Sequence, residues 1–353
     1  MKRSGQRPHA APAGHDLRLT VTPQTALRYG AAIRNLEAWL LLVELPVLAL
    51  LVKDTATLSA VVVAYLQWAY DAGHPHSHGS YVIAGLQFRW PALRTHMKPA
   101  WAVQRRWAQL LPPMVRTPMP WTVLLAMCST AVVWGWPSFA LLLLLGFHCM
   151  LRPGEIAALR RGHLRLTSDS YSKNVGVVAL TTSKTATRAA RIQSVTITDV
   201  WLLQRLDRHF GTWPEKAPLC SGGTTAFTRR FMACLQSLRL AGRFTPGGLR
   251  GGGAVAHFEE HANLGALQFR GRWENPRSML HYLQLGLAAS SFLSIPAAAR
   301  SRIEALAGLA VTLVEGAPPS SRIPLACAIF ETPSEASVSD VGELESADFG
   351  DQL

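Results

Sequence analysis

The chain has 353 residues, 49% of them apolar and 16% charged, enough for two domains or one large one and too apolar for global disorder. Its 35 Lys and Arg against 22 Asp and Glu give a net charge of +13. Residues 331–353 hold seven acids and no Lys or Arg, so residues 1–330 alone carry +20. A body that basic has polyanions as its natural partners, although charge by itself names no function. Five cysteines (Cys128, Cys149, Cys220, Cys234 and Cys327) stand far apart with no CxxC or Cys/His ligand spacing. Neither a disulfide framework nor a metal site is expected, and the compartment reads as reducing.

Residues 1–23 have no apolar stretch of the secretory type and read as a basic, flexible arm. Residues 24–52 open with a helical stripe of Leu27, Ala31, Leu36 and Leu40. Asp54 then opens a second helix to about Asp71, with Leu58, Val62, Tyr65 and Leu66 as its apolar face. Gly73–Gly79, GHPHSHG, reads as a turn with solvated histidines. Residues 80–110 read as further helix, in which Arg89, Arg94, Lys98, Arg105 and Arg106 alternate with Trp90, Trp101 and Trp107. The basic side chains suit DNA phosphates, and the tryptophans suit either bases and sugars or a core. Pro112, Pro113, Pro118 and Pro120 mark a linker over 112–120.

From Thr122 to Leu151 no side chain is formally charged, a run long enough to span a bilayer. Trp134-Gly-Trp-Pro-Ser breaks it into two halves, so two buried helices are the preferred reading and a membrane protein an alternative. LRPGEIAALRRGHL (151–164) reads as a helix closed by Gly162. The β-branched runs 175–182 and 191–198 predict a hairpin. Helices are expected after Thr198, over Phe231–Leu240, from Arg250, in the stretch before Leu285 and over 297–314. The acidic end from 331 reads as a disordered tail.

Four signals in this second half bear on chemistry. Arg152 stands before a helix with Pro153 at its first turn and Glu155 three residues on. Lys184 lies in the hairpin loop. Arg250 opens a helix after TPGGL, and Trp273 precedes Tyr282 by nine residues within GRWENPRSMLHY. Each is weak alone. Together, in this order, they resemble the boxes of the tyrosine recombinases, the phage-integrase-like DNA breaking and rejoining enzymes.

The resemblance covers roughly residues 24–290. It implies a mostly α fold with a small antiparallel β element (α+β): a helical core-binding domain over 24–111, the linker over 112–120 and a catalytic domain over 121–290, followed by a helical segment over 291–330. It implies strand cleavage and rejoining through a covalent 3′-phosphotyrosyl intermediate, in a protein of mobile-element type. Arg152 and Arg250 would hold the nonbridging oxygens as bidentate forks, and Tyr282 would be the nucleophile. Lys184 would protonate the leaving 5′ oxygen, Glu155 would orient nearby cations, and Trp273 would offer its indole N–H to phosphate. No cofactor is implied. Double-stranded DNA is the implied partner, with a homotetramer joined through the C-terminal segment. Residence would be nuclear in a eukaryote and cytoplasmic otherwise.

One departure stands out. The family's second box has His three residues before the arginine, and here that residue is Gly247. Glycine can neither accept the tyrosine proton nor donate to phosphate, and losing one acid–base group typically costs ~10²–10⁴-fold. His148, His257 and His261 are candidate substitutes. A degenerate copy that binds DNA without chemistry is the alternative this leaves.

Overall fold

In the computed structural model, residues 21–112, 116–169, 174–180 and 193–317 are described. The fold is mostly α with a small three-stranded antiparallel sheet. The chain divides between Met114 and Val115 into two compact units.

The first unit is helical: α1 (Pro23–Leu42), α2 (Leu48–Leu51), α3 (Thr55–Asp71), α4 (His76–Arg89) and α5 (Lys98–Leu110). Its starts are set by local chemistry. Thr22 accepts from Thr25 N ahead of Pro23, and Asp54 accepts from Ala56 N and Thr57 N, each supplying an orphan helix donor with an acceptor. Leu36, Leu58, Val62, Tyr65, Leu66, Ile83 and Leu86 form the centre of its core.

Two expectations are corrected in this unit. The stretch 73–79 is a turn only as far as Pro75, because α4 begins at His76. Its histidines are tied into the fold rather than solvated: His78 Nε2 lies 2.6 Å from Tyr65 Oη, His76 Nε2 lies 3.2 Å from Gln104 O, and the His74 ring stacks on that of His78 at 4.8 Å. Residues 80–110 are not continuous helix, since a 3-10 turn over Pro91–Thr95 separates α4 from α5. Trp107 belongs to the core, while Trp90 and Trp101 are half-buried beside it. Arg89, Arg94, Lys98, Arg105 and Arg106 are all exposed. Lys98 and Arg105, seven residues apart, share the face of α5 opposite buried Ala100, Gln104 and Trp107.

The second unit opens on α6 (Trp121–Val133) and α7 (Pro137–His148), joined through Gly135 at φ +75. Both are apolar nearly all round and buried nearly all round, as helices inside a large core are. No single described helix is long and apolar enough to cross a membrane. After α8 (Pro153–Ala158) come β1 (Leu164–Arg165), β2 (Gly176–Leu180) and β3 (Gln193–Ile197) in that sheet order, with Val178 opposite both Leu164 and Val195. The expected helix through Gly162 stops at Ala158. Leu159 is extended, and its carbonyl accepts from Leu219 N. Gly162 instead lies in a 3-10 turn over Arg161–His163.

The remaining helices among the described residues are α9 (Val200–Phe210), α10 (Gly223–Ser237), α11 (Gly248–His261), α12 (Leu264–Gly271), α13 (Pro276–Tyr282), α14 (Leu285–Leu293) and α15 (Ala297–Gly316). The resemblance implied that the C-terminal segment packs on a neighbouring protomer. Within this chain α15 lies on α6, where Ser129 Oγ donates to Leu306 O at 2.6 Å, and its end is tied to α9, where Trp201 Nε1 donates to Glu315 Oε1 at 2.9 Å.

Candidate active site

Five of the predicted site residues converge in the second unit. After α7 the chain turns at Met150, whose φ is +49, and places Arg152 in extended conformation as the N-cap of α8. Pro153 fits the first helical position, where no N–H is needed. Glu155 folds back over this start: its Oε2 accepts from Arg152 N at 2.9 Å and its Oε1 from Arg152 Nη1 at 2.9 Å. Glu155 is 6% exposed, so the carboxylate is a buried charge that must be paired.

Arg250 sits in the first turn of α11 and is 2% exposed. Nη1 donates to Met150 O and Nη2 to Gly271 O, both at 2.7 Å. Its guanidinium carbon is 4.5 Å from the ring centroid of Trp273 and 5.4 Å from that of Tyr282. The two rings lie 5.5 Å apart. Trp273 reaches this position because Gly271 has no side chain: a β-carbon there would lie 1.7 Å from the indole. Between them Arg272 adopts a left-handed backbone at φ +60. The reversal sends adjacent side chains to different partners. Trp273 goes to Arg250, and Arg272 donates to Glu155 Oε2 at 2.8 Å.

Arg272 is the residue that the motif reading missed. It lies beside Trp273 in GRW, and nothing in its spacing distinguishes it from a surface arginine. With it, three guanidinium groups surround one carboxylate, a formal surplus of two positive charges in a largely dry place. Burial works to raise the Glu155 pKa, but Arg272, Arg152 and the Arg152 N–H outweigh it and hold the carboxyl below its usual range. Burial pushes Arg250 down to about 9, with Arg152 and Arg272 acting the same way, so Arg250 is still cationic at neutral pH. Three buried donors at this place, Arg250 Nε, Arg272 Nε and Trp273 Nε1, have no partner among the described residues. An unmet buried donor costs about 1–3 kcal/mol, and three together under a cationic surplus suit an anionic acceptor.

Lys184 lies outside the described residues. Gly247 is the N-cap of α11 with helical φ and ψ of −64 and −23. The candidate substitute histidines are placed elsewhere. His148 Nε2 faces Thr198 N at 3.2 Å and Arg270 Nη2 at 3.0 Å, and the His257 and His261 rings lie 4.2 Å apart at the far end of α11. His148 is pushed down to about 4 by burial, then by Arg270. The five basic residues of α4, α5 and the turn between them belong to the first unit. Among the described residues no cluster of His, Cys, Asp or Glu could hold a metal ion.

No family model matches the chain, and no curated protein matches it. Among solved structures it is similar to the XerH site-specific recombinase bound to its difH substrate in a pre-cleavage complex. The identity is 12%, the match covers 67% of this chain and 78% of that one, and the TM-score is 0.40.

Proposed function

We propose that the chain is a DNA strand transferase of the tyrosine recombinase type. The observation that carries this reading is that Arg152 and Arg272 pair with Glu155 while Trp273 and Tyr282 pack on neighbouring Arg250, leaving uncompensated positive charge and unmet donors next to a phenol. A phosphodiester under attack gathers negative charge on its nonbridging oxygens, and preorganised guanidinium groups stabilise that charge most where water is excluded. Tyr282 Oη would bond to phosphorus as the P–O5′ bond breaks. The phenolic proton would leave to solvent, and the 5′ oxygen would take a proton from Lys184. Glu155 touches no substrate; it holds Arg152 and Arg272 in register. The exposed basic residues of α4 and α5 would grip duplex phosphates. Four protomers on two DNA sites belong to the same reading, with the segment after residue 290 as their contact. That contact would require α15 to leave α6 or α14 to supply it.

Duplexes selected by the purified chain from a random pool, then offered with a nick next to each candidate scissile position, test the proposal. A denaturation-resistant protein–DNA adduct is expected, and Tyr282→Phe should abolish it. Selected duplexes that bind but yield no adduct would instead support a binding-only protein, the reading that Gly247 favours.

A further inference from the structure

Gly247 leaves a space on the first turn of α11, and another residue fills it. A β-carbon at Gly247 would lie 3.0 Å from both Cδ and Nη1 of Arg116 and 3.4 Å from its Cζ. The Arg116 guanidinium therefore occupies the volume into which a side chain at 247 would project. Its backbone is held there by the glycine face of the same helix. Met119 N donates to Gly248 O at 2.9 Å. β-carbons at Gly248 and Gly252 would meet Thr117 O at 2.7 Å and Met119 O at 2.2 Å. The segment 116–119 can lie this close to α11 only because those positions have no side chains. Position 247 is one turn before Arg250, and residues three apart on a helix are surface neighbours about 5–6 Å apart at Cβ.

We infer that Arg116, delivered by the linker, takes the place of the family's second-box histidine as a phosphate-contacting cation. The inference rests on the recombinase reading. It divides the histidine's two tasks: a guanidinium can donate to a nonbridging oxygen, but it cannot accept the tyrosine proton. The substituted site would thus retain the electrostatic part and lose the base.

Affinity of the full chain for inorganic phosphate, measured by titration calorimetry, tests this without needing a DNA target. Arg116→Ala is expected to weaken phosphate binding roughly 10- to 100-fold, the worth of one charge-assisted hydrogen bond. The double variant Arg116→Ala with Gly247→His should recover much of it, which a general loss of fold would not allow. On a selected nicked duplex, Arg116→Ala should slow adduct formation by a similar factor. It should slow it far less when the scissile phosphate is an uncharged methylphosphonate. Equal phosphate affinity for Arg116→Ala and the unaltered chain, or no phosphate binding by either, would overturn the assignment of Arg116 whatever the adduct assay gives. Absence of any adduct from the unaltered chain, with the phosphate difference present, would remove the strand-transfer reading and leave Arg116 as an anion ligand.

Discussion

The ring of Tyr282 covers the guanidinium of Arg250, with the arginine carbon 5.4 Å from the ring centroid and Trp273 against both. The phenol is thus packed on the cation expected to hold the phosphate it would attack. Tyr282→Phe keeps both ring contacts, so its unfolding free energy should stay within ~0.5 kcal/mol of the parent, while adduct formation is lost. Tyr282→Ala removes the ring and should cost about 1–3 kcal/mol in urea unfolding, through lost burial and cation–π attraction. Equal stability of the two variants would contradict the packing.

Glu155 is the only carboxylate bonded to Arg152 and Arg272 among the described contacts. Glu155→Gln leaves the guanidinium groups without their counter-charge and should destabilise by about 3–5 kcal/mol. Added phosphate should restore part of the loss by binding the native state, which thermal melts with and without phosphate would read. The pH dependence has a definite sign. The folded pKa is depressed, so the contribution is complete above the ordinary glutamate range and is lost as pH falls through the lower folded value.

His148 is expected to make the fold acid-sensitive at milder pH. Its folded pKa, pushed from 6.5 to about 4, means that the unfolded chain binds the proton more readily between those values. Stability is therefore lost as pH falls from about 6.5 toward 4, by up to about 3 kcal/mol from this group. His209, bonded to Ser138 and also pushed to about 4, adds in the same direction. Urea unfolding at pH 7.5 and 4.5 should show a smaller difference for His148→Gln than for the parent.

Two helical glycines should respond to alanine with opposite signs. At Gly253 a β-carbon would lie 2.0 Å from the backbone oxygen of Phe147, whereas at Gly308 nothing lies within 4 Å. Gly253→Ala forces two helices apart and should cost about 3 kcal/mol or abolish soluble folding. Gly308→Ala should gain up to about 1 kcal/mol from helix propensity. Thermal denaturation of the pair reads both.

Much of the candidate site was legible because the resemblance rests on short boxes whose internal spacing survives folding. Arg152 and Glu155 meet within one helical turn, and the nine-residue interval from Trp273 to Tyr282 brings two rings onto Arg250. The hairpin and the two buried helices followed from β-branched runs and from unbroken apolar stretches. Arg272 and Arg116 were not legible, for physical reasons. The direction of Arg272 depends on a left-handed backbone that no periodicity announces. Arg116 is positioned by the empty side of a helix more than a hundred residues later in the chain. The end of α8 was misjudged because Leu159 pairs with the chain at Leu219, a tertiary contact that overrides helix propensity.

The glycine run of α11 has a consequence for how this protein can vary. Any missense change at a glycine codon installs a β-carbon, and at Gly252 and Gly253 that atom would strike a main-chain oxygen that cannot rotate away. No substitution there is mild enough to serve as an intermediate. A side chain at Gly252 would therefore displace the main chain at Met119, and one at Gly253 the main chain at Phe147, so these two positions lock α11 against the linker on one side and α7 on the other.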